Sequence, residues 1–571
     1  MKVVIAALAL GIATACLTGR AIGQDAAPAQ PDAAPARVLG PSGEDGEGGG
    51  PVLGEPFESL GLGIALRRPA GSKVIRHVGG DVEFIHEKKK WNLKVARMPL
   101  TQSMPLETST DADGARRTGL LEVTVDRLKD TLPGAAVLRN DVVRVGDIDV
   151  GMIALRHVKG LETLLSQQAL VRASDRMYYT LTLTSPGSKA SGKEPGDDPA
   201  ERQAVEAFGE VIDTVRLLDQ RPLVRDQEDR IYATLALFVN LGGQGKIESR
   251  LIPQQWFRVL HNGKDIGYLY AIEETADGIP GDASGGAALR RKKPAGRRGG
   301  GAEGILIGTR SRTAAGEDAR IDAESWMFCS SDRRLEQWST LQVVQNLKDQ
   351  SEFDHATTVG SSSRRVGRRL DRQANEQGLR FDKEDPNQPP VREIDDYVLD
   401  VTHSSKSEGT EPFTQGVADP YIPQALSHLL PRLLPVDQPK KYLFAVYVPE
   451  VRKVMYRYVD VGEEKRLTFQ GESMRAVPIS DRIGVEGSVT THYMTIDGKY
   501  LGRENADTGV VVLPSDEATI TGIWKDANLS RPADVKPGAK TAVPTAGKIE
   551  AGKALAPADT PPVNRRRQSG R

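Results

Sequence analysis

This chain has few aromatic residues and almost no cysteine. Of its 571 residues, 5% are aromatic and two are cysteines, Cys16 and Cys329, whereas glycine and proline number 58 and 35. Such a composition is typical of modest hydrophobic cores interrupted by long loops. If a leader that contains Cys16 is removed, the remaining cysteine cannot form an internal disulfide, so the fold depends on burial and strand pairing. Cys329 follows an apolar run and is expected to be a small buried residue.

The sequence also has no excess of charge of either sign. Lys and Arg number 76 against 77 for Asp and Glu. A balanced charge provides no field that would steer the protein onto nucleic acid, so nucleic acid is excluded as an expected partner. The length exceeds what one hydrophobic core usually serves and favours two folded domains with linkers.

Long hydrophobic segments are absent apart from the first residues. Residues 1–23 resemble a secretory signal peptide: Lys2 is basic, Val3–Leu17 is largely apolar, and Ala21-Ile22-Gly23 precedes a cleavage site at Gln24. The apolar run of about 15 residues is shorter than the roughly 20 that a membrane-spanning helix needs. No transmembrane segment is therefore expected after signal removal, and the predicted location is periplasmic or secreted.

Cys16 supports an alternative mode of attachment. Ala13-Thr14-Ala15-Cys16 resembles a bacterial lipobox, although the first position is Ala where Leu is usual. The alternative location is therefore a lipid anchor through Cys16.

Motifs that carry common chemistry are also missing. The eight histidines form no His-Glu-x-x-His motif, and none lies at metal-ligand spacing from Cys329 or from another histidine. No Gly-x-Ser-x-Gly elbow is present, and residues 242–246 lack the first glycine and the Ser or Thr of a P-loop. We therefore assign no catalytic, cofactor-binding or metal residue, and we interpret the protein as a non-enzyme without a cofactor.

The N-terminal half predicts an α+β domain. Residues 24–56 are rich in Ala, Pro, Gly and acidic residues and are predicted to be a disordered linker. From 57 to 219, several strand patterns surround a helix predicted at Gly114–Leu132, and a second helix is predicted at Ala200–Leu217. This order favours helices packed on a mostly antiparallel sheet.

The domain at 57–219 resembles the PsbP-like αβα sandwich. The resemblance rests on Leu62–Gly71, on the strand Tyr178–Gly187, and on the closing helix with Phe208 and Val215. It implies a non-enzymatic interaction domain, found in photosystem extrinsic subunits and in small bacterial envelope proteins. It supplies no functional residue that can be carried over.

The second domain, predicted at 220–524, contains the strongest hairpin signal. Within Gln254–Glu274, Asn262-Gly263 favours a type I′ turn between two strands rich in β-branched and aromatic residues. A related pattern returns at Tyr493–Gly502. We interpret the two as the opening and closing hairpins of one large antiparallel sheet of roughly ten strands.

Helices and polar insertions are predicted around this sheet. The apolar residues of Arg230–Asn240 are too dense to separate a helix from a strand, and we interpret this segment as a short helix. Apolar spacing favours a helix at Ile422–Leu434, kinked by its proline. Basic insertions are expected at 276–304 and 361–388, and a disordered tail at 525–571.

The sheet domain resembles the half-barrel of the LolA/LolB lipoprotein carriers. The resemblance rests on Trp256–Leu260 with its Asn-Gly-Lys turn and on Tyr493–Gly502. It implies a strongly curved antiparallel sheet whose concave face can hold an acyl chain. The candidate ligand face consists of Trp256, Tyr268, Tyr270, Leu443 and Val446.

Three functional hypotheses follow. In the first, a secreted envelope protein binds a partner, or an apolar or lipidic ligand, on the curved sheet. In the second, the protein is a structural scaffold whose sheet is filled by its own side chains and by Ile422–Leu434. In the third, it hydrolyses an envelope polymer, because a catalytic triad is a spatial arrangement and need not leave a sequence motif.

Overall fold

A computed structural model describes residues 53–525, with breaks at 78–79, 101, 111–113, 133, 189–197, 242–243, 280–302, 317, 349–350, 365–396 and 418–419. The predicted signal peptide, Cys16, most of the linker, most of both basic insertions and the tail lie outside these described residues. The described residues belong to one compact unit that ends at Lys525. The proposed domain boundary at residue 219 stays a prediction.

Alternating apolar residues form short strands and two helices in the first region. The strands are β1 (Leu53–Ser59), β2 (Ile64–Pro69), β3 (Lys73–Arg76), β4 (Val82–His86), β5 (Trp91–Pro99), β6 (Ser109–Thr110), β7 (Arg116–Arg117), β8 (Ala136–Val145), β9 (Ile148–Lys159), β10 (Glu162–Arg172), β11 (Met177–Pro186) and β12 (Arg216–Leu217). The helices are α1 (Leu120–Thr131) and α2 (Pro199–Asp213).

Three layers make up this region. The central antiparallel sheet has the order β3-β4-β5-β11-β10-β9-β8, and β1, β2 and β12 form a small second sheet. Helix α1 packs with Ile153 and Leu170, whereas helix α2 packs with Met152 and Val171. Because neighbouring residues of a strand face opposite sides, the two helices cover opposite faces of the sheet. The predicted α+β fold class with an antiparallel αβα sandwich is confirmed.

The second region is dominated by fifteen strands. They are β13 (Gln254–His261), β14 (Lys264–Ala276), β15 (Gly304–Ala314), β16 (Ala319–Ser330), β17 (Leu335–Asn346), β18 (Glu352–Arg364), β19 (Tyr397–Ser405), β20 (Gly409–Gly416), β21 (Lys440–Val448), β22 (Lys453–Val461), β23 (Lys465–Phe469), β24 (Glu472–Ile483), β25 (Thr490–Met494), β26 (Tyr500–Asn505) and β27 (Val510–Ser515). Its helices are α3 (Arg221–Asn240), α4 (Gln244–Glu248), α5 (Gln424–Leu433) and α6 (Glu517–Ile523).

The first hairpin of the large sheet forms as its turn chemistry predicts. Asn262 and Gly263 have φ angles of 49° and 77°. Two successive positive φ angles define the type I′ turn, which matches the twist of the flanking strands. Strands β13 and β14 then pair along their length, with one irregularity after Val259.

The two similar hairpins are neighbours in the sheet and do not lie at its ends. The order is β20-β19-β18-β17-β16-β15-β14-β13-β27-β26-β25-β24-β22-β21, with β23 paired to β24. Strand β27 pairs with both β13 and β26 and so joins the hairpins. The prediction that both hairpins belong to one large antiparallel sheet is confirmed, but they do not bound it, because the last strand returns to pair with the first. The edges are β20 and β21.

Helix α5 lies inside the curvature of this sheet. It packs against β15 and β16 and also against β21 and β25. These two pairs of strands are far apart in the sheet order, so the sheet must bend around the helix for both to touch it. Leu426, Leu429, Leu430 and Leu433 are all buried in this contact.

Helix α3 covers the edge of β21. The hydroxyl of Thr234 accepts a hydrogen bond of 2.9 Å from the backbone N–H of Leu443. Further along the same edge, Ala445 exchanges backbone hydrogen bonds with residues 420–422, and the Gln424 side chain donates to the Tyr447 carbonyl. An uncovered edge strand invites pairing with other chains, and these contacts occupy this one.

Several boundaries differ from the prediction. Helix α1 begins at Leu120 and not at Gly114, and helix α2 ends at Asp213, so Val215 lies beyond the helix and Arg216–Leu217 forms strand β12. Strand β1 begins at Leu53, so residues 53–56 of the predicted linker are paired with β2. Strand β18 continues to Arg364, so the second insertion starts later than residue 361. Helix α3 is longer than the predicted Arg230–Asn240, because the polar first turns from Arg221 continue the same helix.

Candidate functional site

The strand pairing sorts the large sheet into two faces. We call the face that carries helix α5 the inner face. Direct pairing places Glu273, Ile307 and Met327 in one row of this face, and places Arg503 and His492 in another. Side chains directly opposite each other on paired strands lie on the same side of the sheet.

The five candidate ligand-face residues do not share one face. Val446 lies on the inner face, where it belongs to the core around helix α5. Tyr268 and Tyr270 lie on the outer face, where Tyr268 contacts Trp524 and Tyr270 contacts Trp256. Leu443 is also on the outer face, packed against Ile231 of α3. Four of the five are 4% exposed or less, and Trp256 is half-buried, so all five contact the protein itself. Together they form no common surface.

A buried glutamate holds the start of helix α5. Glu336 on β17 accepts hydrogen bonds from the Gln424 backbone N–H, the Tyr421 hydroxyl and the Ser362 hydroxyl. Burial raises the pKa of Glu336 to about 7, although these three donors oppose the rise. The carboxyl group thus ties the first turn of the helix to the inner face.

A second buried carboxylate, Glu273 on β14, lies beside the other end of the helix. It accepts hydrogen bonds from the Ile252 backbone N–H at 2.8 Å, from the Gln255 amide at 2.7 Å, and from Arg432. His428 lies 3.4 Å from the same carboxylate. Burial opposes ionisation of Glu273, but His428 and Arg432 outweigh it and lower its pKa to about 2.

The third buried carboxylate is Asp481 on β24. Arg457 donates to both of its oxygens and also to the carbonyl and hydroxyl oxygens of Ser427 in helix α5. His492 lies 3.4 Å from Asp481 on its other side. Burial opposes ionisation of Asp481, but Arg457 and His492 lower its pKa to about 2. Burial lowers the pKa of His492, which favours the neutral imidazole near pH 7.

A small cleft separates the two carboxylate clusters. We call it the inner cleft; it lies between helix α5 and strands β13, β14 and β25–β27, and it is lined by Gln255, Phe257, Leu269, His428, Pro431, Arg432, His492, Tyr500, Arg503 and Val512. Its volume of about 50 Å³ gives room for a few water-sized groups. This volume is small compared with that of typical ligand pockets.

The inner cleft is lined by both polar and apolar side chains. Its lining contains two arginines, two histidines and one amide, together with four apolar side chains and Tyr500. Burial raises the pKa of the Tyr500 phenol to about 12, while Arg503 and Arg432 oppose that rise, so the phenol is protonated. Among the described residues that line the cleft, there is no serine, threonine or cysteine that could act as a nucleophile.

Sequence reasoning missed the residues of this cleft. The histidines were searched for metal spacing, whereas His428 and His492 each lie beside a carboxylate from a distant strand. A usable signal was the spacing of His428 and Arg432, which are four residues apart on a predicted amphipathic helix and therefore share a face. Among the described residues, no group of three or more potential ligands could hold a metal ion.

Cys329 has the environment that its apolar context predicts. It is 1% exposed on β16, and burial raises the pKa of its thiol far above the usual range. Such a thiol is inert.

Among the described helices, none is long and apolar enough to cross a membrane.

The chain matches no protein-family model and no curated protein. Among solved structures, the Ran-binding protein Mog1p of Saccharomyces cerevisiae is similar at 17% identity, with 30% of this chain and 98% of that chain covered and a TM-score of 0.22. The cyanobacterial PsbP of Synechocystis is similar at 14% identity, with 31% and 99% covered and a TM-score of 0.21. A beta-barrel-like protein with a domain of unknown function from Brucella abortus is similar at 10% identity, with 47% and 97% covered and a TM-score of 0.27. At these values the likenesses carry no argument about function.

Proposed function

We propose that this protein is a non-enzymatic binding protein of the cell envelope and that its ligand enters the inner cleft beside helix α5. The observation that carries the proposal is the incomplete filling of the curved sheet. Helix α5 packs against the inner face at β15, β16, β21 and β25, but a cleft remains between the helix and the strands around β26 and β27, lined by both polar and apolar groups. Such a mixture is typical of ligand sites.

The envelope location is part of the proposal and is supported by the signal-like residues 1–23. The PsbP-like resemblance of the first region and the LolA/LolB-like resemblance of the sheet region favour a binding role over catalysis. The small volume of the cleft favours a short ligand, or one short end of a ligand, over a fully enclosed acyl chain.

A purely structural scaffold is the second candidate. It is favoured by the apolar packing of helix α5, whose leucines are 7% exposed or less. In that case the inner cleft would hold only water, and the protein would act through its outer surfaces.

Native mass spectrometry of protein purified from its source separates the two candidates. We expect a non-covalent adduct on the wild-type protein and its loss in Val512→Phe, because the larger side chain occupies the cleft. The matched control is Val511→Phe, since the neighbouring residue of β27 points to the outer face and packs near Phe469 and Tyr493. The intact mass of the same sample also tests whether the mature chain begins at Gln24.

Two results would contradict the binding proposal. One is a wild-type protein without any adduct, which favours the scaffold. The other is an adduct that Val511→Phe removes and Val512→Phe retains. Circular dichroism of both variants checks their folding, because an added ring in a packed core costs roughly 1–3 kcal/mol.

A further inference from the structure

Two hairpin turns lie at the same end of the central sheet of the first region. One joins β4 to β5 at residues 87–90, and the other joins β9 to β10 at residues 160–161. Strand β11 pairs with β5 on one side and with β10 on the other, antiparallel to both, so β5 and β10 begin at the end where β11 stops. Both turns therefore point the same way.

The turn at 160–161 projects further than the turn at 87–90. Asn92 of β5, Thr184 of β11 and Ser166 of β10 lie side by side in adjacent strands. From that level the chain extends by five residues to Leu161 but by three to Lys89. At about 3.3 Å per residue, Leu161 reaches roughly 7 Å beyond the turn at 87–90.

The projecting turn carries an apolar side chain that its own conformation does not require. Leu161 is 96% exposed, more than any other large hydrophobic residue in the described part of the chain. Gly160 takes the positive φ of 65° that the first central position of a type II′ turn needs, and a polar residue commonly follows it. Val158, which is 47% exposed, adds apolar surface nearby. The flanking Lys159 and Glu162 lie opposite each other and balance in charge.

The turn at 87–90 is basic. Residues 88–90 are three exposed lysines, and Lys89 lies over the ring of Trp91 at 4.4 Å. Glu87 of the same turn pairs with Lys73 at 3.0 Å. None of the three lysines forms an ion pair with another described residue. Their positive charge is therefore uncompensated beside the projecting leucine.

We propose that this end of the first region docks on an anionic lipid surface, with Leu161 inserted and the lysines of 88–90 beside the lipid phosphates. The difference in reach favours a bilayer over a soluble polymer, because the apolar layer of a bilayer lies below its charged headgroups. Each lysine close to an anionic leaflet adds to the attraction. This docking surface goes beyond the proposed binding function and does not involve the inner cleft.

The test is sedimentation of the protein with vesicles of phosphatidylcholine, or of phosphatidylcholine and phosphatidylglycerol in equal amounts. The chain is used from Gln24 onward, because the apolar residues 1–23 bind lipid by themselves. We expect binding to the anionic vesicles and at least about tenfold weaker binding to the neutral ones. High salt should release the protein, because it screens the lysines from the lipid.

Leu161→Ser tests the apolar contact. It is expected to weaken binding to the anionic vesicles about tenfold or more, because a leucine side chain is no longer removed from water. Leu347→Ser is the matched control, since this leucine is also exposed, at 43%, but lies in the second region. Far-UV circular dichroism verifies that each variant is folded.

Lys88→Gln combined with Lys90→Gln tests the charged contact. This double variant is expected to weaken binding about tenfold or more. The control is Lys453→Gln combined with Lys465→Gln, which removes the same charge from exposed positions of the second region and should leave binding unchanged. It separates a local contact from an effect of net charge.

Leu161→Trp measures insertion directly. Bromine atoms on the acyl chains quench an indole only at close approach. We expect brominated anionic vesicles to quench the fluorescence of this variant more than that of the wild type, whose five tryptophans serve as the background.

The proposal is overturned if the chain does not bind anionic vesicles, if Leu161→Ser binds like the wild type, or if the added indole is not quenched. Binding that the lysine variant loses and Leu161→Ser retains would indicate an anionic polymer recognised by charge alone, and this result also contradicts insertion. None of these outcomes changes the adduct experiment with Val512→Phe, so failure here is distinct from failure of the proposed function.

Discussion

Pro431 removes one backbone donor from helix α5, and Arg457 binds the carbonyl group of Ser427 that this donor would otherwise have bound. In a regular helix the N–H of residue 431 would bind the carbonyl of Ser427. Proline has no N–H, and that carbonyl instead accepts a hydrogen bond of 3.0 Å from Arg457. Pro431, which the sequence predicted to kink the helix, therefore leaves a carbonyl group available for the hydrogen bond that attaches helix α5 to β22.

The buried Glu336 makes stability depend on pH. Its pKa is about 7 in the folded protein against 4.5 for an ordinary glutamate, so folding favours the protonated form. The contribution of Glu336 to stability is therefore complete below about pH 4.5 and is lost as the pH rises through about 7. A shift of one pKa unit corresponds to roughly 1.4 kcal/mol, so the loss is a few kcal/mol at most.

Glu336→Gln is expected to remove this part of the pH dependence, because the amide stays neutral. Urea unfolding between pH 5 and pH 8 measures it: the difference in unfolding free energy between variant and wild type should shift in favour of the variant as the pH rises. Glu162→Gln, at an exposed position on β10, is the control and should follow the wild type. A constant difference across the whole pH range would argue against a proton-binding Glu336.

At this scale the sequence predicted the turn residues but not the ion pairs. Asn262 and Gly263 could be assigned because a type I′ turn is a local property of two residues. Glu273 and Arg432 are separated by 159 positions, so their contact depends on the fold of the whole sheet. No local pattern contains that information.

At the scale of elements, helix α3 protects the sheet edge through one hydroxyl. Thr234→Val keeps the shape of the side chain and leaves the N–H of Leu443 without its partner. We expect a loss of about 1–3 kcal/mol in unfolding free energy and faster hydrogen exchange at the Leu443 amide. Exchange mass spectrometry of peptides from β21 gives the local measurement.

Thr234→Ser retains the hydroxyl and is the matched control for this experiment. It should preserve the slow exchange of the Leu443 amide. Equal exchange in the valine and serine variants would contradict a role for the hydroxyl.

Helices and strands could be predicted because their periodicity is local, but the faces of the strands could not. Tyr268 and Tyr270 alternate with Leu269 and Ala271, and all four are buried. When both faces of a strand are covered, alternation shows which residues share a face and not which face is inner. Trp256, Tyr268 and Tyr270 were therefore correctly grouped with one another, but they were incorrectly grouped with Val446.

At the scale of the whole molecule, α3 follows the first region in the chain but packs on the large sheet. A fragment of residues 220–525 keeps this helix, whereas a fragment of 242–525 loses it and exposes Leu443, Tyr456 and Tyr458 together with the edge of β21. We expect the longer fragment to be monomeric and to unfold cooperatively, and the shorter one to aggregate. Size-exclusion chromatography and thermal unfolding compare them.

This comparison also tests the predicted boundary near residue 219. The contacts between the two regions include Glu486, which accepts a hydrogen bond from the Gly61 N–H and lies 3.8 Å from Arg76. If the longer fragment failed to fold, the two regions would have to be regarded as one cooperative body.

The pairing of β13 with β27 has a consequence for synthesis. Gln254 emerges from the ribosome well before Ser515, and at roughly 5–20 residues per second the delay is on the order of 10 to 50 s. During that time β13 lacks the neighbour that finally covers one of its edges. Until Ser515 has followed, β13 therefore exposes an unpaired edge that is open to mispairing with other chains.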